Sequence, residues 1–376
     1  MKEISRKKQR NSNVELLRIV SMFLIVLHHF SIHGVGVAGS FRTFKGSAVT
    51  RMVVELLGSM GKPAVMLFVF ITGFYLINSK FKLKRIVALW WRVFTYSVLI
   101  LIVAILLLPV NVSIKDMLFS FLPVTYSEYW FITDYVLLII FAPFINMFIL
   151  NAKKNVVQYF ILTLWLAGSL VPTLLLKKSA LADNDMLLFI LFYSVGAYIQ
   201  LYVIEDSKLK TYAKYFTLIG GVLLFGGIIG LNLVSIIMNK AVFSLAAMHL
   251  TYLNSTVALF LAIGIFLYVV SWKPRSNKWV NLIAGSSLAV YIISDNSLIR
   301  DLIWQGIVQA RVQAVSMNPL ILIVYALFVT SVIYIVCTVI DFIKINTLDK
   351  WLNPTTWITE KLSSLTIRLG NKYNRH

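Results

Sequence analysis

Ten stretches of mostly apolar residues recur along this chain, each close to the roughly 20 positions a helix needs to cross a bilayer. They lie at about 14–37, 52–78, 86–109, 129–150, 156–176, 185–204, 213–238, 247–271, 280–304 and 318–342. Hydrocarbon offers no hydrogen-bond partners, so segments patterned in this way must satisfy their backbone internally, as helices. The expected fold is an all-α integral membrane protein with about ten transmembrane helices. Composition agrees. The chain is 59% apolar and only 13% charged, with a mean hydropathy of +0.83, whereas soluble domains are about 25% charged. A soluble globular enzyme could not cover its surface with so few polar groups and is excluded. The lone cysteine, Cys337, cannot form an internal disulfide.

A net charge of +20 would suggest nucleic acid in a soluble domain. Here it reads as topology. Of the 35 basic residues, 23 fall in the two tails and on one set of alternate loops, and nine on the other set. Basic residues concentrate in cytoplasmic loops, which places both termini in the cytoplasm. No nucleic-acid partner is expected; the partner of the spans is the lipid bilayer. Three divisions follow: a basic tail (1–13), a ten-span membrane domain (14–342) and a cytoplasmic tail (343–376). In the last, Ile358, Leu362, Leu365 and Leu369 form a helical stripe, with Trp351 and Trp357 as interfacial anchors. The run Met117–Leu122 is too short to span and reads as a re-entrant or interfacial piece. Its exit, through Pro123 to Tyr126, Tyr129 and Trp130, reads as an aromatic belt. The first 40 residues resemble a cleavable leader, but Glu15, Arg18, His28 and His29 interrupt the apolar run, so it is taken as a permanent span.

That first span carries the most chemistry. Arg18 and His29 are eleven residues apart, which returns to within roughly 20° on a helix and separates them by about 16 Å along its axis. Glu15 and His33 fall within about 60° of the same line, while His28 points about 100° away from His29. Ionisable groups at such depth are costly and by default functional; a snorkelling arginine and a hydrogen-bonded histidine are the plain alternative. His29 and His33 have metal-ligand spacing, but no third ligand lies nearby in sequence, so no metal is expected. Further along, Asp134 lies within the fourth span, with Trp130 and Tyr135 near it, and Asp295 lies within the ninth.

The order of these features resembles the acyltransferase-3 family of integral membrane O-acyltransferases. That family opens with an acidic residue, two positions, Arg, ten positions and His, matched here by Glu15, Arg18 and His29. Gly61–Leu76 resembles its second span, Tyr129–Ile149 its Trp-Phe…Tyr…Pro-Phe-Asn span, and Leu288–Trp304 the late span that often reads Val-Tyr-Leu-Ile-His. Ser294 stands where that histidine is common, so its role is absent or moved to Asp295 or Asn296.

The resemblance implies transfer of an acyl group, usually acetyl, from cytoplasmic acyl-CoA to a hydroxyl of an extracytoplasmic cell-envelope polysaccharide or its lipid-linked precursor. The location implied is the bacterial cytoplasmic membrane. Acetyl-CoA would be a donor substrate, with no tightly bound cofactor. His29, Arg18 and Glu15 become the catalytic candidates. Lys84, Arg85 and Arg92 are candidates for the anionic end of the donor; positive-inside topology alone also accounts for basic residues there. Trp130, Asp134, Tyr135 and Asp295 are candidates for acceptor contact. A secondary transporter or glycan flippase using Glu15, Arg18 and Asp134 is the alternative, and a non-catalytic assembly subunit a third reading.

Overall fold

The computed structural model describes residues 10–36, 44–175, 184–351, 354–355 and 357–361. Every regular element among them is helical. The chain begins with α1 (Ser12–His29), which widens into a π-helical turn through Val35. It continues through α2 (Ala48–Gly58), α3 (Gly61–Leu76), α4 (Leu83–Leu107), the short α5 (Ile114–Phe121) and α6 (Trp130–Asn151). Next come α7 (Lys154–Trp165), α8 (Val171–Leu175), α9 (Asp185–Tyr198), α10 (Leu209–Gly221), α11 (Gly227–Met238), α12 (Ala241–His249) and α13 (Thr256–Val270). The C-terminal part holds α14 (Lys278–Gly285), α15 (Ser287–Asp295), α16 (Ser297–Asp301), α17 (Ala310–Ser316), α18 (Pro319–Asn346) and α19 (Leu348–Trp351).

Eight helices among the described residues are long and apolar enough to cross a membrane, and a ninth candidate is a bent pair. This corrects the expectation of ten uninterrupted spans in two places. The stretch 247–271 holds the end of α12 and, after a turn, the 15 residues of α13, about 22 Å of helix against a hydrocarbon core of about 30 Å. Ser255 caps the first turn of α13 by accepting from the Ala258 N–H. The stretch 280–304 is broken at Asn296, with Lys278–Asp295 and Ser297–Ser316 meeting at 69°. Hydrogen bonds make the break. Asn296 donates to the Tyr129 hydroxyl at 2.6 Å and accepts from the Leu298 N–H, while Glu128 accepts from the Ser297 N–H at 2.9 Å. Tyr129 is therefore a buried strut at 1% exposure rather than a belt residue.

α1 is pinned from its first turn. Asn11 caps it, the Ser12 N–H donates to the Arg275 carbonyl at 2.7 Å, and the Ser12 hydroxyl donates to Asn281 at 2.8 Å. From there α1 packs against α3, α14, α15 and α18. α3 and α9 cross at backbone contact: a Cβ at Gly73 would overlap the Tyr193 carbonyl, and one at Gly196 would overlap the Phe70 carbonyl. Small residues at a crossing let apolar helices approach where no hydrophobic driving force separates protein from lipid. The α5 piece is as short as expected. Ser113 and Asp116 cap it reciprocally, and the two hydrogen bonds from Ser113 hold the Asp116 carboxyl below its ordinary pKa. In the tail, Trp351 and Trp357 are exposed, 357–361 is helical, and the rest of the expected stripe lies outside the described residues.

Candidate active site

The first span places its polar residues along two cavities. Near the start of α1, Arg18 lines a cavity of about 370 Å³ walled by α3, α4, α6, α14 and α15. Its Nη1 donates to both carboxylate oxygens of the buried Glu15, at 2.9 and 3.0 Å. One helical turn of spacing suffices for this pair, so Glu15 acts on Arg18 by fixing it and balancing its charge. Arg85 lines the same cavity and donates to Ser79 at 2.9 Å. Tyr135 also faces it, with its hydroxyl 3.0 Å from that of Thr72.

Farther along α1, His29 lines a second cavity, of about 210 Å³, with His33, Lys62, Glu128, Trp130, Asp295 and Arg300. Met22, Phe131 and Tyr291 line both cavities and so form the wall between them. The break after α15 delivers Asp295 to this place: Oδ1 lies 3.3 Å from His33 Nε2, 3.8 Å from His29 Nδ1 and 3.8 Å from Arg300 Nη1. His29 and Asp295 are buried, and both His29 Nδ1 and Asp295 Oδ1 lack a hydrogen-bond partner among the described residues. His28 also lines this cavity, but its Nδ1 is engaged, 2.7 Å from the Gly58 carbonyl oxygen.

The expected site residues thus separate into groups. Glu15, Arg18, Arg85 and Tyr135 gather at the first cavity; His29, Trp130 and Asp295 gather at the second. Lys84 is exposed and lines neither. Asp134 is half-buried and also lines neither. Arg92 is engaged away from both: its Nη2 donates to both oxygens of the fully buried Asp341, at 2.7 Å each, and Tyr96 donates to the same carboxylate. An arginine held in this way is a fastener between α4 and α18, and the donor-binding role expected for it finds no geometric support.

Sequence reasoning missed Lys62, Arg300 and Asp341 as partners. Asp341 could have been found as the one acidic residue in a span otherwise lacking a counter-charge for Arg92. Nothing along the chain announces that Asp295 meets His29, 266 positions away.

The set His29, His33 and Asp295 has donor atoms within 4.8 Å of one another. Tetrahedral zinc with bonds near 2.0–2.1 Å places its ligands about 3.4 Å apart, so two imidazoles and a carboxylate match the donor chemistry. The third ligand missing from the neighbouring sequence comes from α15. Against a dication, Arg300 approaches the same carboxylate oxygen and Lys62 lines the same cavity. The set thus offers donor chemistry for a dication within the field of two nearby cations.

A family model described as an acyltransferase domain matches residues 11–340. No curated protein and no solved structure shows a significant match.

Proposed function

Because the chain belongs to the acyltransferase-3 family and is a multi-pass membrane acyltransferase, we propose that it moves an acetyl group from cytoplasmic acetyl-CoA to a hydroxyl of an extracytoplasmic envelope glycan. The observation that carries this reading is the pair of cavities on one helix. The cavity with two arginines suits a phosphate-bearing donor, the cavity with the imidazoles suits a hydroxyl acceptor, and Met22, Phe131 and Tyr291 line both.

In this reading the pantetheine arm enters along Arg18 and Arg85, which hold anionic oxygens by charge-assisted hydrogen bonds. The thioester carbonyl reaches the shared wall. A sugar hydroxyl is a weak nucleophile and needs a base to take its proton, which a neutral imidazole can do. His29 takes the hydroxyl proton as the oxygen attacks the carbonyl carbon. The C–O bond forms, the C–S bond breaks, and the proton passes to the departing CoA sulfur. His29 Nδ1 faces Asp295, which leaves Nε2 for the substrate and fits a carboxylate that orients the ring and balances its transient positive charge. The wide loop-charge asymmetry supports a donor approach from the Arg18 end and an acceptor approach from the His29 end.

Oriented vesicles test this. Acetyl-CoA supplied only at the face bearing the tails should acetylate glycan confined to the opposite face, with CoA released on the donor side and no ion gradient required. Glycan movement without CoA release would replace this reading with transport.

A further inference from the structure

Among the described residues, two cations at the His29 cavity have no hydrogen-bonded anion. Lys62, at the start of α3, lines the cavity with its Nζ 4.3 Å from the centre of the Trp130 ring. No carboxylate oxygen among the described residues lies within 4.0 Å of it; Asp185 and Asp295 act on its charge only from farther away. Among the described residues, Arg300 has a buried Nε without an acceptor, and the carboxylate oxygens nearest its guanidinium, on Asp295 and Asp301, stand at 3.8 and 4.0 Å. The two carboxylates of the cavity have other duties. Asp295 serves His33 and His29, and Glu128 accepts the Ser297 N–H that holds the helix break.

Topology does not explain these cations. On the orientation expected from the loop charges, both lie toward the face where basic residues are scarce. A cation withdrawn from water costs free energy unless a counter-charge meets it. A cavity of about 210 Å³, some seven water volumes at about 30 Å³ each, has room for one sugar residue.

We propose that this cavity receives a saccharide bearing an anionic group, a carboxylate or a phosphate, and that Lys62 and Arg300 determine specificity by pairing with it. The inference rests on the acyl-transfer reading, since it names the class of acceptor. Lys62 and Arg300 approach from α3 and α16, on separate elements around His29, so an anion held between them would fix the ring carrying it. The hydroxyl that reacts is then one adjacent to the charged substituent, presented to the imidazole. Trp130, already in contact with Lys62, offers an apolar face against which a sugar ring can pack.

The test uses the full chain in nanodiscs and three probes: methyl glucoside, methyl glucuronide and glucose 1-phosphate. Binding is titrated without donor, and CoA release is followed separately with acetyl-CoA present. The expected result is at least tenfold tighter binding of an anionic probe than of the glucoside. The better of the two anionic probes identifies carboxylate or phosphate as the group read. Lys62→Met should erase the preference, Arg300→Gln should weaken it, Lys62→Arg should retain it, and the exposed Lys240→Gln should leave it unchanged. Retention in Lys62→Arg guards against mistaking misfolding for lost recognition. Equal binding of all three probes, or a preference that survives Lys62→Met combined with Arg300→Gln, overturns the proposal. Anion preference without CoA release from any probe would uphold the proposal's binding site and instead defeat the acyl-transfer reading. CoA release with the glucoside alone would do the reverse.

Discussion

The carboxylate of Asp295 lies closer to His33 than to His29, 3.3 Å against 3.8 Å, although His29 is the more deeply buried imidazole. One carboxylate therefore faces two imidazoles a single helical turn apart. Their roles should separate on substitution. His29→Gln should lower kcat by about 10²–10⁴-fold, the range for losing a general base. His33→Gln should cost far less, and His28→Ala should affect stability more than rate, because its ring bonds the Gly58 carbonyl. CoA release by the purified variants measures all three. Equal losses at His29 and His33 would point to a shared metal or a two-histidine relay in place of a single base.

Asp295→Asn removes the charge while keeping the shape. A carboxylate that orients a base and stabilises its protonated form should be worth about 10–100-fold in rate, in line with partners of other functional imidazoles. Acceptor KM should change little if the carboxylate acts through His29. A large KM effect with unchanged kcat would reassign Asp295 to direct acceptor binding.

At the donor end, Arg18 and Arg85 line the larger cavity and Lys84 does not. Arg18→Gln and Arg85→Gln should each raise the KM for acetyl-CoA by about tenfold, the worth of one charge-assisted hydrogen bond of about 1.5 kcal/mol. Lys84→Gln should leave it within twofold. Glu15→Gln should mimic part of the Arg18 loss, because the carboxylate holds the guanidinium in place. Identical effects from Lys84 and Arg85 would reduce the arginines to a general field.

Much of this architecture was legible because hydropathy is local. The runs that set α1, α4, α6 and α18 follow from length and composition alone, and the Glu15–Arg18–His29 spacing already placed a polar stripe on α1. The break at Asn296 was not legible. A polar run, Ser294–Ser297, interrupts an otherwise apolar stretch without fixing a bend, and what bends it is a set of hydrogen bonds to Tyr129 and Glu128 from another part of the chain. Asp295 reaches His29 only because of that bend. The same limit applies to Arg92: its position a few turns into α4 suggested a ligand, while its partner, Asp341, lies 249 residues away.

That pair yields a stability prediction. Asp341 is wholly buried and bound by Arg92 and Tyr96, so Arg92→Leu leaves an unpaired buried carboxylate. Removing one partner of such a pair costs about 3–5 kcal/mol, whereas replacing both by apolar residues is often neutral. Arg92→Leu should therefore lower the thermal midpoint sharply, and Arg92→Leu with Asp341→Leu should recover most of it. The measurement is thermal unfolding in detergent, with acetyl-CoA KM followed alongside. Retained stability with a raised KM in the single variant would return Arg92 to the donor site.

The crossing of α3 and α9 makes the last prediction, and it links packing to the site. Gly73 and Gly196 each face the other helix's backbone, so an added methyl group meets a carbonyl rather than the end of a flexible side chain. Neither backbone can move aside without shifting a whole helix. Gly73→Ala or Gly196→Ala should each destabilise by about 1–3 kcal/mol, the usual cost of overpacking. Gly226→Ala provides the contrast, since nothing lies within 4 Å of a Cβ there, and it should be neutral or stabilising by up to about 1 kcal/mol. The functional consequence follows from what α3 carries. Lys62 sits at one end of it in the His29 cavity, and Thr72, beside Gly73, sits in the Arg18 cavity. Forcing α3 off α9 should therefore raise the KM for donor and acceptor together, while a substitution confined to one cavity raises only one. Thermal unfolding combined with both KM values decides the matter. If Gly73→Ala unfolds like the unaltered protein, the backbone contact described here is not formed.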